Sequence, residues 1–394
     1  MEIKNSQLLI NVSFLLIIVS DYICWQIMGF LLRYIDCCGS NGNGQLGLNH
    51  SEDIDRPTLS LAVNQEVEDI AIGGNHSLIL FKNKNLFASG EQCGFFDPAK
   101  DSEMFDIVQK GVTHVCAGWD FTAIVKNNVS VFLYDKNGER HLIELSENAK
   151  FMRSSLHSVI IVDNKGSAFA FGDNKKGQLF GDVITDKIVP EPTKITFEDL
   201  PNSSFNGLIV LDCCMGRDYT IFHLYDEEKD ANIILMRCKT DRFSILTNMY
   251  STIGDRGHEI QGSVGVNKSQ WFFVEKHVKI NGLKSMWSSV HVWYNKDDTG
   301  NKLVSFGNNV YGQKYDGSKL EEEIDSFDVG TEHGLLVTKD KHKVYAWGWG
   351  EHGNCGPSSD GSLKLLFQDD GERIVQNVFG GYANTFIVTS RMPM

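Results

Sequence analysis

Two glycine triplets in the chain carry the spacing of a dinucleotide-binding loop: Gly348, Gly350 and Gly353 in "AWGWGEHGNCGP", and Gly42, Gly44 and Gly47 in "GNGQLG". Such a loop needs a strand before it, a helix N-terminus after it to hold the pyrophosphate, and an acidic residue about 20 positions on. Gly47 is followed by "LNHSEDIDRP" and Gly353 by "NCGPSSDG", neither of which starts an amphipathic helix. The triplets are read instead as turns repeated along the chain, where glycine permits positive φ and close backbone approach.

The twelve histidines are the other chemical resource. His76, His157, His291 and His333 recur at one place in a repeated phrase, with Asp120 and Asp218 standing there in other copies. That recurrence marks a structural role, each side chain bonding a turn or a neighbouring repeat. A metal site needs three or four ligands converging at about 2 Å, and equivalent positions of a repeat array lie too far apart for that. His352 and Cys355 in "EHGNC" read as a turn with a buried cysteine; the functional alternative places Glu351 and His352 on a rim that touches a partner. The sequence contains no G-x-S-x-G elbow, no G-x-x-x-x-G-K-[ST] loop and no H-E-x-x-H, so hydrolase, nucleotide-phosphate and zincin chemistry lack their minimum parts.

The elements that must position these residues come from an internal repeat. One phrase, a small-residue pair followed by an apolar strand, recurs as "IGGNHSLILF", "CAGWDFTAIV", "RSSLHSVIIV", "CMGRDYTIF", "WSSVHVWY", "VGTEHGLLV" and "FGGYANTFIV". A second phrase, of the type Gly-x-Asn-x-x-Gly-Gln-Leu, alternates with it in "CCGSNGNGQLG", "AFGDNKKGQLF", "SFGNNVYGQKY" and "AWGWGEHGNCG", with more eroded copies between. Intervals of 44, 37, 61, 73, 42 and 50 residues between copies, the larger ones marking insertions, with short apolar runs bounded by Gly, Asn and Asp, predict four-stranded blades. The fold expected is all-β, a seven-bladed β-propeller over residues 34–390 with an insertion around 223–285. Ring closure is expected to pair residues near Tyr34 with strands from 372–390.

The 394 residues carry a net charge of -14 and no basic run, which argues against a phosphate-binding surface and direct nucleic-acid contact. Nine cysteines with no C-x-x-C, several inside apolar runs, read as small buried hydrophobes in a reducing compartment. Residues 1–33 form a hydrophobic extension. Its uninterrupted core, Val12 to Val19, is shorter than the about 20 residues a membrane span needs, and only Lys4 precedes it as a basic residue. The preferred reading is a start at Met28 with the upstream piece a gene-model artefact; a signal anchor is the alternative.

The paired motifs "GSNGNGQLG", "GDNKKGQLF", "GGNHS" and "GTEHG" resemble the regulator of chromosome condensation family, whose members form seven-bladed propellers. Within it, "GSNGNGQLGLNHSEDIDRP", "CAGWDFTAIV", "MWSSVHVW" and "YAWGWGEHGNCGP" resemble a fungal subfamily of partner proteins. The resemblance implies a non-enzymatic, cofactor-free protein of cytoplasm and nucleus. Its implied partner is a small CSL-type zinc-finger protein able to carry iron, diphthamide biosynthesis protein three. The pair would support diphthamide formation on elongation factor two and Elongator-dependent modification of tRNA wobble uridines. The alternative is a guanine-nucleotide exchange factor for a small GTPase such as Ran, and an enzyme acting on the partner's iron is disfavoured for want of a flavin or nicotinamide motif. Because interfaces concentrate Trp, Tyr and Arg, the residues expected at the partner are Trp119, Asp120, Trp287, His291, Trp293, Trp349, Glu351 and His352, with Trp347 assigned to packing.

Overall fold

Strands buried on both faces read as continuous apolar runs, and the chain holds such a run in the middle of each repeat. His76–Phe81, Ser158–Asp163 and His333–Thr338 are buried at every residue. A computed structural model describes residues 32–91, 102–198, 200, 207–262, 268–297, 299–357, 360–369 and 371–391; the hydrophobic extension up to residue 31, with Met28, lies outside them. The strands form seven antiparallel sheets, the blades of a propeller. Blades one to six span 67–110, 112–144, 149–194, 208–273, 278–307 and 324–368 in chain order.

Blade seven closes the ring with both ends of the described chain, in the order Ile54–Val63, Arg33–Gly39, Asn384–Arg391, Arg373–Gly380. Tyr34 stands opposite Thr389 in an unbroken register from Arg33 to Gly39. The core is a set of apolar layers, one between each pair of adjacent blades. Between blades four and five, for example, Ile221, Ile234 and Phe272 meet Val290, Val292 and Phe306.

Two blades depart from the four-stranded plan. Of the stretch 223–285, the strands Tyr219–Asp226, Ala231–Cys238 and Lys268–Phe273 belong to blade four, and Val278–Ser285 opens blade five. The departure lies between Cys238 and Lys268, where the chain forms the helix Ile245–Ile253. Both carboxylate oxygens of Asp241 accept from its first turn, from Ile245 N at 2.9 Å and Leu246 N at 3.0 Å, supplying the cap that Ser244 does not. Its buried face, Ile245, Leu246, Met249 and Ile253, joins the layer between blades four and five. Blade five has three strands, Val278–Ser285, Ser289–Lys296 and Asn301–Gly307. No helix among the described residues is long and apolar enough to cross a membrane.

One buried cation ties two blades together. Arg237, at 0% exposure on the third strand of blade four, donates to Leu179 O at 3.0 Å and Thr196 O at 2.8 Å, both from blade three's outer segments, and stacks over Phe197. Truncation would leave those carbonyls buried without a donor. Arg237→Met is expected to lower unfolding stability by about 2–3 kcal/mol, measured by urea denaturation.

Candidate interaction face

The first strand of every blade runs toward the same face and turns there into the second strand. Seven equivalent hydrogen bonds close these turns: Gly73 N to His76 O, Gly118 N to Phe121 O, Ser155 N to Ser158 O, Gly216 N to Tyr219 O, Met286 N to Ser289 O, Gly330 N to His333 O and Gly381 N to Asn384 O. These bonds set the true register of the repeat and correct the expected alignment of histidines. His76 and His333 are equivalent to Phe121, Ser158, Tyr219, Ser289 and Asn384. Asp120, His157 and Asp218 come one residue earlier, and His291 lies two residues past Ser289. The small-residue pair misled the alignment because the turn donor is its first member in Gly73-Gly74 and its second in Ala117-Gly118.

The structural role holds for the two histidines that share the position. Buried His76 Nε2 hydrogen-bonds with Thr122 Oγ1 of blade two at 2.9 Å, and buried His333 Nε2 with Thr385 Oγ1 of blade seven at 3.0 Å. At the same position Tyr219 donates its hydroxyl to Ser289 O of blade five at 3.0 Å. His291 bonds within its own blade, to Ser305 Oγ at 2.8 Å. Asp120 and His157 sit on the surface, 3.6 Å apart.

The turns after the third strands reach the same face, and they explain the Gly-x-Asn-x-x-Gly-Gln-Leu phrase. Gly39, Gly90, Gly172, Gly307 and Gly348 all have positive φ, and a Cβ there would lie 2.2–2.6 Å from a backbone carbonyl of the adjacent turn. The asparagine pins the loop from within: Asn41 Oδ1 accepts from Leu46 N, Asn174 Oδ1 from Leu179 N and Asn309 Oδ1 from Lys314 N, at 2.8–3.1 Å. Gln45, Gln178 and Gln313 accept from the amide two residues earlier at 2.8–2.9 Å. The dinucleotide spacing is an accident of register, since Gly348 corresponds to Gly39 and Gly353 to Gly44.

At the centre of this face three aromatic rings meet across the mouth of the channel. Tyr382 of blade seven makes edge contacts with Trp119 of blade two at 5.7 Å and Trp287 of blade five at 5.9 Å. Trp119 is 43% exposed. The turns that carry these rings are linked by backbone bonds from blade to blade, including Gly74 N to Trp119 O, Trp119 N to Leu156 O, Trp287 N to Thr331 O and Thr331 N to Gly381 O. Beside Trp287 lies a cleft of about 190 Å³ with Arg217, Arg242, Phe243 and Glu332 in its wall. Burial raises the Glu332 carboxyl above its ordinary range, against the hydrogen bonds from Gln313 and Ser288.

Below the rings the channel is lined by the first strands, with charges facing one another. Arg153 donates to Asp212 at 3.1 Å, and Lys284 pairs with Asp328, whose other oxygen accepts from Gly380 N at 2.9 Å. Burial pushes the Asp69 carboxyl up to about 6, with Arg153 opposing the shift.

The expected partner residues are thus divided. Trp119, Asp120 and Trp287 gather at the channel mouth. Trp349, Glu351 and His352 lie on the same face in the outer loop of blade six, where Trp349 packs on His352 at 5.5 Å and His352 reaches Asp53 of blade seven at 2.8 Å. His291 and Trp293, at 0% and 8% exposure, are inside blade five and take no part in this surface. Trp347 is buried as expected, its Nε1 donating to Gln313 O at 3.0 Å. Tyr382, Arg217 and Phe243 were missed. Tyr382 and Arg217 directly follow the turn donors Gly381 and Gly216, as Trp119 and Trp287 follow Gly118 and Met286, and were passed over because the sequence reading singled out tryptophans.

These stapled loops and glycine-ended strands have a counterpart among known repeats. Residues 37–80 match the Regulator of chromosome condensation (RCC1) repeat. The match begins in the third strand of blade seven and ends in the second strand of blade one, so the sequence repeat straddles two blades. The chain is 27% identical over 350 residues to the RCC1 repeat-containing protein C10F6.04 of Schizosaccharomyces pombe, covering 80% of this chain and 88% of that one. It is 24% identical to the mouse secretion-regulating guanine nucleotide exchange factor, covering 82% and 76%. Its fold matches the crystal structure of Prp20p from Saccharomyces cerevisiae with a TM-score of 0.69, at 14% identity over 92% of each chain. The architecture is an RCC1-type seven-bladed propeller.

The buried histidines make a pH prediction. Burial lowers His76 and His333 from 6.5 to about 4 and His291 to about 3. Between pH 6.5 and 4 the unfolded chain binds protons that the folded chain refuses, so stability falls as pH falls through that window. Each histidine adds up to about 1.4 kcal/mol per pH unit to the slope. His76→Gln and His333→Gln should each flatten the stability-versus-pH curve there, measured by chemical denaturation at a series of pH values; an unchanged slope would rule out their titration as its source.

Proposed function

We propose that the chain is a non-enzymatic binding module that docks a partner protein on the face bearing Trp119, Trp287 and Tyr382. The observation that carries this reading is the half-exposed aromatic cluster held by blade-to-blade backbone bonds. Large rings fixed before binding lose little entropy on docking, which is the usual character of an interface anchor. The partner proposed from the sequence resemblance is the small CSL-type zinc-finger/iron protein, diphthamide biosynthesis protein three. The chain would then act as the fungal alpha-tubulin suppressor, also called killer-toxin-insensitivity protein thirteen. That role lies in cytoplasm and nucleus, supporting diphthamide formation and, through Elongator, wobble uridine modification.

A second reading has a specific support: the likeness to the mouse exchange factor runs over 82% of this chain. Titration calorimetry with the purified CSL protein under reducing conditions separates the two. Binding in the micromolar range or tighter, weakened at least about tenfold by Trp119→Ala with the melting temperature unchanged, is the expected result. No binding, together with strong stimulation of nucleotide release from Ran, would replace the proposal with nucleotide exchange.

A further inference from the structure

Blade five ends where its neighbours continue. Its third strand, Asn301–Gly307, pairs with Ser289–Lys296 on one side and, among the described residues, with no strand on the other. The segment that should supply a fourth strand, 308–323, runs instead into the layer against blade six, where Tyr315 and Leu320 pack near Trp347 and Phe327.

The free edge can be assigned residue by residue. Asn308 N donates to Ser288 O, so Phe306, Val304 and Lys302, at alternate positions, bond inward to the second strand. The backbone groups of Leu303 and Ser305 therefore point outward, and no described residue bonds them. Exposure tells the same story. The positions equivalent to Leu303 and Ser305 are Leu86 and Ala88 in blade one and Val344 and Ala346 in blade six, on strands that carry a fourth strand at their outer edge and buried against the next blade; Leu303 and Ser305 are only partly buried.

We infer that this edge accepts an extended segment of a partner protein as the missing fourth strand of blade five, antiparallel to Asn301–Gly307. Main-chain pairing supplies affinity in such an addition, and alternate side chains supply selectivity. The two sides of the slot differ in chemistry. Leu303 faces the blade-six layer beside Tyr315 and Leu320, whereas Lys302 lies on the opposite side, exposed and with no ion pair among the described residues. In a chain of net charge -14 this lysine selects an occupant alternating apolar and acidic residues, apolar toward Leu303 and acidic toward Lys302. The inference stands apart from the aromatic face and does not depend on the identity of the partner proposed there.

Amide hydrogen exchange by NMR on the full chain, with a synthetic peptide of alternating valine and glutamate as probe, tests it. The Leu303 and Ser305 amides should exchange freely in the apo protein, while those of Val304 and Phe306 are protected. Peptide should slow the outward amides at least about tenfold. N-methylating alternate peptide amides along one edge should abolish this protection, and Lys302→Glu should weaken binding several-fold without changing the melting temperature. Three results overturn the inference: protection of Leu303 and Ser305 in the apo protein, peptide binding indifferent to N-methylation, or no binding. Protection that rises with protein concentration in the absence of peptide would also overturn it, by making a second copy the occupant.

Discussion

Every blade is a sheet with both faces covered, and the molecule is stable only if the ring closes so that no face is left out. The apolar layers are shared property: Val290, Val292 and Phe306 of blade five have no core of their own apart from the strands of blade four. The polar groups follow the same rule. His76, Tyr219 and His333 each send a buried hydrogen bond into the next blade rather than their own, so neighbouring blades are fixed in angle as well as in contact.

From that constraint comes the character of the functional face. Turns that must meet their neighbours through backbone bonds cannot move independently, and they present Trp119, Trp287 and Tyr382 in fixed positions over the channel. Below them the Arg153–Asp212 and Lys284–Asp328 pairs keep the channel polar, so the rings form an apolar lid on a polar interior. The binding surface is thus a by-product of how the ring is held together.

Much of this was legible in the sequence, because the features that build blades are local. Apolar runs between Gly and Asn predict strands, and the Asn and Gln of the second phrase are the residues that staple its loop, as Asn174 and Gln178 do. What escaped is set by register, which a pattern of small residues does not fix. One residue of slip placed His157 beside His76, although one lies on the surface and the other in the core. The placing of His291 at that position likewise hid the equivalence of Trp287 with Trp119, each of which follows its turn donor directly. His291 and Trp293 failed as surface candidates for another reason: a residue type common at interfaces is just as much at home between blades, and only burial separates the two. The three-stranded form of blade five was also invisible, since 308–323 carries the usual loop residues and differs only in where it packs.

The shared blade seven has a consequence for synthesis on the ribosome. Arg33–Gly39 and Ile54–Val63 are made before the six intervening blades, but Asn384–Arg391, which pairs with Arg33–Gly39, is made after them. At about 5–20 residues per second, the early hairpin waits roughly tens of seconds with one strand edge open. Through that interval it is the nascent chain's standing exposure to mispairing, and the six intervening blades must hold their curvature before the two ends can meet.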